Sequence, residues 1–142
     1  MARKSDPKLD LIAGVPLFAG FSRGELSFLG RLMDEVDVRE GRVLTREGAS
    51  GGEFFVVASG RVRIERGGRK LNELGPGDFL GEIALVDGGP RTATAIATEP
   101  CELLVLNRSG FRSLLARYPG VQSKVMRALA ARLRDLQPRA PI

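Results

Sequence analysis

Apolar residues near the start of the chain recur at intervals of three and four positions, which is the spacing of an amphipathic helix. The first such group predicts a short helix before the turn at Gly20. The second group follows Ser22, and Ser22 and Glu25 have the spacing of a capping box, in which each side chain bonds the other residue's backbone N–H. We therefore expect helices over residues 9–34, after a flexible segment of residues 1–8.

From residue 36 to residue 106 the period of the apolar residues changes to two, which is the spacing of a half-buried β-strand. Twelve of the eighteen glycines lie at positions 41–89, so short strands joined by tight turns are expected. The clearest strand is 61–66, in which Val62 and Ile64 point inward and the charged residues outward. About eight strands over residues 36–106 predict a small antiparallel β-roll, similar to a jelly roll.

Helical spacing interrupts this roll once and then returns after it. Residues 82–86 form a single apolar turn after Gly81, which predicts a one-turn helix inside the roll. Later apolar residues at helical spacing predict helices over residues 108–137, with a break at Tyr118-Pro119 and a tail of residues 138–142. The expected fold class is α+β, with a short helix inside the roll and helices at both ends.

The composition limits the classes of function. A chain of 142 residues has the length of one ordinary domain, which the pattern assigns to residues 9–137. Histidine is absent and Cys101 is the single cysteine, which excludes disulfides within the chain, His-containing metal centres and His-dependent nucleophilic catalysis. The longest uncharged apolar stretch, residues 11–21, is too short to span a bilayer. We expect a cytoplasmic protein that is not an enzyme and carries no cofactor.

The positive charge is concentrated at the C-terminal end. The net charge is +5, yet residues 107–142 hold eight basic side chains and one acidic side chain, so the rest of the chain is slightly acidic. Such a segment could attract nucleic acid, acidic lipid or an acidic protein. A solvated helix face is the simpler interpretation, because aromatic side chains are not interleaved with the basic ones. Nucleic acid is therefore not expected as a partner.

The most specific motif is Gly81-Glu82-Ile83-Ala84-Leu85 followed by Pro90-Arg91-Thr92-Ala93-Thr94. A glycine before a one-turn helix lets an anion approach the backbone, and the free N–H groups of that turn, including that of Ala84, point toward the anion. Arg91 can donate two parallel hydrogen bonds to two phosphate oxygens. Glu82 would repel a bare phosphate, so it needs a donor such as a ribose hydroxyl. A sugar beside a phosphate indicates a nucleotide.

Each part of this motif also has a purely structural interpretation. Glu82 could only compensate the helix dipole, Arg91 could form a surface ion pair, and Gly88-Gly89-Pro90 could be a simple turn. The occurrence of all three together favours ligand binding.

These two segments resemble the phosphate-binding cassette of the cyclic nucleotide-binding domain family, which includes cAMP-dependent kinase regulatory subunits, the bacterial catabolite activator and cyclic-nucleotide-gated channels. The resemblance extends to Pro16-Leu17-Phe18, to residues 54–63, to Gly75-Pro76-Gly77-Asp78 and to the closing helices. It implies an eight-stranded β-roll with helices at both ends. One departure is Leu80, where the family commonly has phenylalanine.

The resemblance also implies a role for each residue of the cassette. Arg91, Thr92 and the N–H of Ala84 are expected to hold the cyclic phosphate. Glu82 and the backbone of Gly81 are expected to hold the ribose hydroxyl. A hydroxyl at Thr92 is similar to family members that accept cGMP, since it can bond the guanine amino group, although many such members prefer cAMP.

The residues that cover the base vary most within the family. Alignment from Tyr118-Pro119 places Arg132 and Leu136 of the last helix over the purine, and Ile83 and Ile64 are further candidates for the pocket wall. A solvated helix face explains Arg132 as well, and core packing explains Ile64 as well.

The sequence therefore predicts a stand-alone cyclic nucleotide-binding regulatory module, for cAMP more than cGMP, that signals by moving its C-terminal helices. Its effector would be a protein in trans or a second copy bound through the last helix. Two alternatives stay open. One is a degenerate domain that binds no nucleotide and acts in protein interaction or oligomerisation, and the other is a truncated relative of a DNA-binding transcription regulator.

Overall fold

The computed structural model describes the backbone of residues 6–136 and the side chains of all of these except 83, 132, 133, 135 and 136. Two four-stranded antiparallel sheets pack face to face, and helices cover one of them. The helices are α1 (Pro7–Ala13), α2 (Arg23–Leu32), α3 (Glu82–Asp87), α4 (Arg108–Arg117) and α5 (Val121–Leu136). The strands are β1 (Asp34–Val38), β2 (Val43–Thr45), β3 (Phe54–Ser59), β4 (Val62–Arg66), β5 (Arg69–Leu74), β6 (Phe79–Leu80), β7 (Thr94–Ala97) and β8 (Cys101–Leu106). The predicted eight-stranded β-roll with an internal short helix is confirmed.

The N-terminal helices begin and end through local signals. The capping box is present, because the Ser22 hydroxyl accepts a bond from the Glu25 N–H at 3.2 Å and Glu25 Oε1 accepts one from the Ser22 N–H at 2.7 Å. The prediction that helix continues to residue 34 is wrong, since Met33 has extended backbone angles and β1 begins at Asp34. The prediction that residues 1–8 are flexible is wrong for Pro7 and Lys8, which form the start of α1, with Asp6 as its N-cap. Residues 1–5 lie outside the described residues.

The sheets have the strand orders β1-β8-β3-β6 and β2-β7-β4-β5. Strands β3 and β8 are central in the first sheet, and both of their faces are buried. On β3, Phe54 and Val56 pack against the helices, while Phe55 and Val57 pack against the second sheet. Two hydrophobic cores therefore share one sheet, which explains the continuous apolar run of β3.

The C-terminal helices pack on the same core as the N-terminal helices. Val121 and Val125 of α5 are buried there. Lys124 Nζ lies 2.6 Å from Oε1 of the buried Glu25, so an ion pair joins α5 to α2.

The predicted tail, residues 138–142, lies outside the described residues. Among the helices that the structure describes, we found no segment long and apolar enough to cross a membrane.

Candidate ligand-binding site

A cavity of about 290 Å³ opens between α3 and the second sheet. Six of the residues predicted from the sequence line it together: Ile64, Gly81, Glu82, Ala84, Arg91 and Thr92. The remaining described lining residues come mainly from β5, β6 and the ends of β2 and β4: Thr45, Arg66, Leu71, Asn72, Leu74, Phe79, Leu80 and Ala93. The fold thus brings both halves of the sequence motif to one concave surface.

Gly81 is the point at which β6 turns into α3. Its φ of +93° is in the left-handed region, which favours glycine. A Cβ at this position would lie 2.5 Å from the Glu53 carbonyl oxygen and 3.0 Å from Arg91 Nη1. The first backbone bond of α3 runs from the Leu85 N–H to the Gly81 carbonyl at 3.1 Å. The N–H of Ala84 precedes this first bond, so the backbone ladder of the helix does not use it.

Arg91 is a buried cation in the wall of this cavity. Only 6% of the residue is exposed. Its Nη1 donates a hydrogen bond to the Glu53 carbonyl at 2.9 Å, and its guanidinium lies 5.9 Å from the centre of the Phe55 ring. A Cβ on Gly51 would lie 3.1 Å from Arg91 Nε, so Gly51 leaves the space that the side chain occupies. Burial lowers the pKa of Arg91, and the Glu53 carboxylate opposes that shift.

The charge of Arg91 has no ion-pair partner in the described part of the chain. The ion pairs between described side chains, such as Arg63–Glu65, Lys70–Glu73 and Lys124–Glu25, do not include Arg91. A guanidinium always carries its charge, and transferring a charge out of water without a counterion is costly. The hydrogen bond to the Glu53 carbonyl and the attraction of the Glu53 carboxylate, which forms no ion-pair contact with Arg91, offset only part of that cost. The site therefore favours an anion beside Arg91.

The backbone around Arg91 is held by loops instead of a strand. β7 begins only at Thr94, so Arg91 lies in the segment before that strand. The Arg91 N–H donates to the Ala49 carbonyl at 2.9 Å, and its carbonyl accepts from the Gly48 N–H at 2.8 Å. The Thr45 hydroxyl donates to the carbonyl of the neighbouring Ala93 at 3.0 Å. These contacts fix the direction in which Arg91 enters the cavity.

Three predicted site residues have side chains that lie outside the described residues: Ile83, Arg132 and Leu136. Their backbones belong to α3 and α5. Their expected roles at the pocket wall and over the base stay predictions.

Sequence reasoning missed several residues of the site. It took Arg66 as an outward-facing charge, yet Arg66 lines the cavity. The period of two that puts Ile64 inward puts Arg66 on the same face, so the signal was present. Gly51 and the Glu53 carbonyl could not be found in this way, because their contact with Arg91 joins parts of the chain that are distant in sequence.

The described residues do not supply the groups that a metal site or a reactive cysteine would require. They contain no group of three or more His, Cys, Asp and Glu side chains that could hold a metal ion. Cys101 is buried, and its thiol donates to the Arg61 carbonyl at 3.3 Å. Burial raises the pKa of this thiol, so it is mostly protonated at neutral pH.

The fold and the site define a class of small regulatory β-rolls that enclose a one-turn helix. The family model for the cyclic nucleotide-binding domain matches residues 35–118, which include the cavity and all of the roll except Asp34. The chain belongs to the cyclic nucleotide-binding domain family.

Individual relatives agree with this membership. The chain is 38% identical over 127 residues to the cyclic AMP receptor protein of Thermus thermophilus, covering 86% of this chain and 59% of that protein. The N-terminal domain of a transcriptional regulator from Streptomyces coelicolor has a TM-score of 0.78 and 34% identity, covering 89% of this chain and 92% of that one. The Toxoplasma gondii PKA regulatory domain crystallised with cAMP has a TM-score of 0.72 and 28% identity, and the match covers 79% of this chain and 46% of that one. The chain spans only about three fifths of curated relatives such as the Thermus protein.

Proposed function

We propose that this chain is a regulatory module that binds a cyclic nucleotide in the cavity beside α3, cAMP in preference to cGMP, and catalyses no reaction. The observation that carries the proposal is Arg91, a buried guanidinium without an ion pair among the described residues, which faces a cavity shared with Glu82. The similar Toxoplasma domain, which was crystallised with cAMP, supports the choice of this ligand.

The phosphate half of the ligand fits the Arg91 end of the cavity. The guanidinium can donate two parallel bonds to the two exocyclic phosphate oxygens. The N–H of Ala84, which precedes the first bond of α3, can donate a third. Thr92 lies at the same wall and completes this group of donors. A cyclic phosphate carries one negative charge, so Arg91 alone neutralises it.

The sugar half of the ligand fits Glu82 and the backbone of Gly81. Glu82 lines the cavity at the first position of α3, next to the left-handed Gly81. An ionised carboxylate has two oxygens that accept hydrogen bonds, and the ribose 2′-hydroxyl is a donor that Glu82 can accept from. This arrangement selects ribonucleotides over 2′-deoxynucleotides.

The base would lie toward Ile64, with Ile83, Arg132 and Leu136 as the proposed remaining contacts. Ile64 lines the cavity from β4.

The output of binding is movement of α5. Val121 and Val125 are buried in the core beneath the helices, so the movement is expected in the part of α5 that follows them.

The proposal leaves the effector to be found. A protein partner in trans or a second copy of this chain would read the movement of α5, and we propose a cytoplasmic location for this exchange. Lys124 pairs with Glu25, and Arg132 is proposed to contact the base. The other basic residues of α4 and α5 interact with solvent in this proposal, and nucleic acid is not a partner.

The deciding experiment is a calorimetric titration of the purified chain with cAMP, cGMP and 5′-AMP. We expect the two cyclic nucleotides to bind, cAMP more tightly, and 5′-AMP to bind weakly. Arg91→Leu should weaken cAMP binding by roughly 10- to 150-fold, which corresponds to the loss of a charge-assisted contact. Arg42→Leu, a change of equal charge at an exposed residue outside the cavity wall, is the matched control and should bind normally.

Two results would refute the proposal. If the wild-type chain binds none of the three nucleotides, it is the degenerate domain considered above. If Arg91→Leu binds cAMP as well as Arg42→Leu does, Arg91 does not hold the phosphate.

A further inference from the structure

Arg66 is a charged residue of the cavity wall to which the proposed function gives no role. It is the last residue of β4 and follows Val62 and Ile64 at alternate positions, so it lies on the strand face that points into the roll. Ile64 and Arg66 both line the cavity. The neighbouring Glu65 pairs with Thr94 at the start of β7. Arg66 therefore lies beside the segment that joins Arg91 to β7.

The side chain of Arg66 holds one atom of that segment. Its Nε donates a hydrogen bond to the Thr92 carbonyl oxygen at 2.9 Å. Thr92 precedes β7, so its carbonyl lies outside the pairs of the sheet. The neighbouring carbonyls of Arg91 and Ala93 accept hydrogen bonds from β2 and the loop after it, as described above. Arg66 reaches Thr92 from the opposite side, through a charged donor, which makes a stronger bond than a neutral one.

The backbone that carries Arg66 is itself fixed. The N–H of the next residue, Gly67, donates to Glu47 Oε1 at 2.8 Å. The N–H of Glu47 donates to the Thr94 hydroxyl oxygen at 2.9 Å. The turn between β4 and β5 is thus joined through Glu47 to the strand that follows Thr92. A side chain attached at this point can hold Thr92 in one orientation.

From these contacts we infer that Arg66 is a positioning residue for Thr92 and thereby contributes to the discrimination between guanine and adenine nucleotides. The inference rests on the proposed function. The Thr92 hydroxyl can bond the amino group at C2 of guanine, and adenine has no such group. cAMP and cGMP carry the same phosphate and the same charge. Any effect of Arg66 on the phosphate or on the overall field is therefore equal for both ligands and cancels in their affinity ratio. A double-mutant cycle with Thr92 then separates an effect through Thr92 from a direct contact of Arg66 with the base.

The test is a double-mutant cycle with cAMP and cGMP as the probes. We expect Arg66→Ala to lower the affinity for cGMP relative to that for cAMP by about 2- to 12-fold, the range for one neutral hydrogen bond. A weaker contact between Thr92 and the phosphate would affect both ligands equally and cancels in this ratio. Arg66→Lys keeps a donor and should restore most of the cGMP affinity. In a Thr92→Ala background, Arg66→Ala should have no further effect on the ratio. Arg69→Ala is the control, since Arg69 pairs with Arg66 across the hairpin, is exposed and lies outside the cavity wall.

Three outcomes would overturn the inference. Arg66→Ala could weaken both nucleotides equally, or weaken cGMP more than Thr92→Ala does, or keep its full effect in the Thr92→Ala background. Each of these outcomes would mean that Arg66 does not affect the choice between guanine and adenine by positioning Thr92. If the wild-type chain binds neither nucleotide, the proposed function fails first and the inference fails with it.

A measurement of folding separates positioning from damage to the fold. Because Arg66 is exposed, we expect the melting temperature of Arg66→Ala to lie within about 4 °C of the wild type. Should it fall further, Arg66→Met keeps the apolar stem of the side chain and removes only the donor. Arg66→Met must then show the same loss of cGMP affinity, and a wild-type ratio in Arg66→Met contradicts the inference.

Discussion

Replacement of Gly81 by alanine tests how the site is built. The left-handed backbone at Gly81 costs an alanine about 1–2 kcal/mol. The added Cβ also meets the Glu53 carbonyl at 2.5 Å and Arg91 Nη1 at 3.0 Å. These two atoms form the hydrogen bond that holds Arg91, so the methyl group must push them apart or shift the start of α3. Such crowding in a packed region adds about 1–3 kcal/mol.

Gly77→Ala is the matched control for this substitution. Gly77 has nearly the same φ, +90°, but a Cβ there would have no neighbouring atom within 4 Å. Gly77→Ala should therefore show the backbone cost alone, a decrease in melting temperature of about 2–8 °C. The difference between the two variants measures the crowding at Arg91.

The assays are thermal unfolding and titration with cAMP. We expect Gly81→Ala to be less stable than Gly77→Ala and to bind cAMP roughly 10- to 150-fold more weakly, because the displaced guanidinium loses a charge-assisted contact with the phosphate. Gly77→Ala should bind like the wild type. Equal stability and equal affinity of the two variants would show that the space at Gly81 does not position Arg91.

Three further predictions concern the sugar, the helix packing and the output. Glu82→Ala should bind cAMP more weakly and lose most of the wild-type preference over 2′-deoxy-cAMP, and competition between the two ligands measures this preference. Lys124→Met should destabilise the chain by about 1–3 kcal/mol in urea unfolding, because it leaves the buried carboxylate of Glu25 without its partner. Lys124 holds the pKa of Glu25 below its ordinary value of about 4.3. The pair therefore stabilises the wild type above that pH, and this stabilisation is lost on further acidification. Lys124→Met should lack most of this dependence of stability on pH. Saturating cAMP should slow hydrogen exchange in residues 126–136 and leave residues 121–125 nearly unchanged, and equal exchange with and without cAMP would contradict movement of α5.

The features that arise between neighbouring residues could be predicted from the amino-acid sequence. The capping box of Ser22 and Glu25 spans three positions, and the strand that contains Val62 and Ile64 follows from alternation. Such contacts depend on local geometry, so the residues that make them can be named before the fold is known. The family resemblance of the cassette added the expected roles of Arg91 and its neighbours, because the motif is contiguous in the chain.

The boundary between α2 and β1 and the set of side chains around the cavity depend on packing between distant segments, so they became known only from the fold. Asp34 begins a strand because it pairs with Val105 of β8, which outweighs the helical spacing before it. Arg91 is buried because the Glu53 carbonyl, 38 positions away in the sequence, bonds it. Arg66 holds Thr92 across 26 positions. Contacts of this kind form when distant segments pack together, and no periodicity within either segment encodes them.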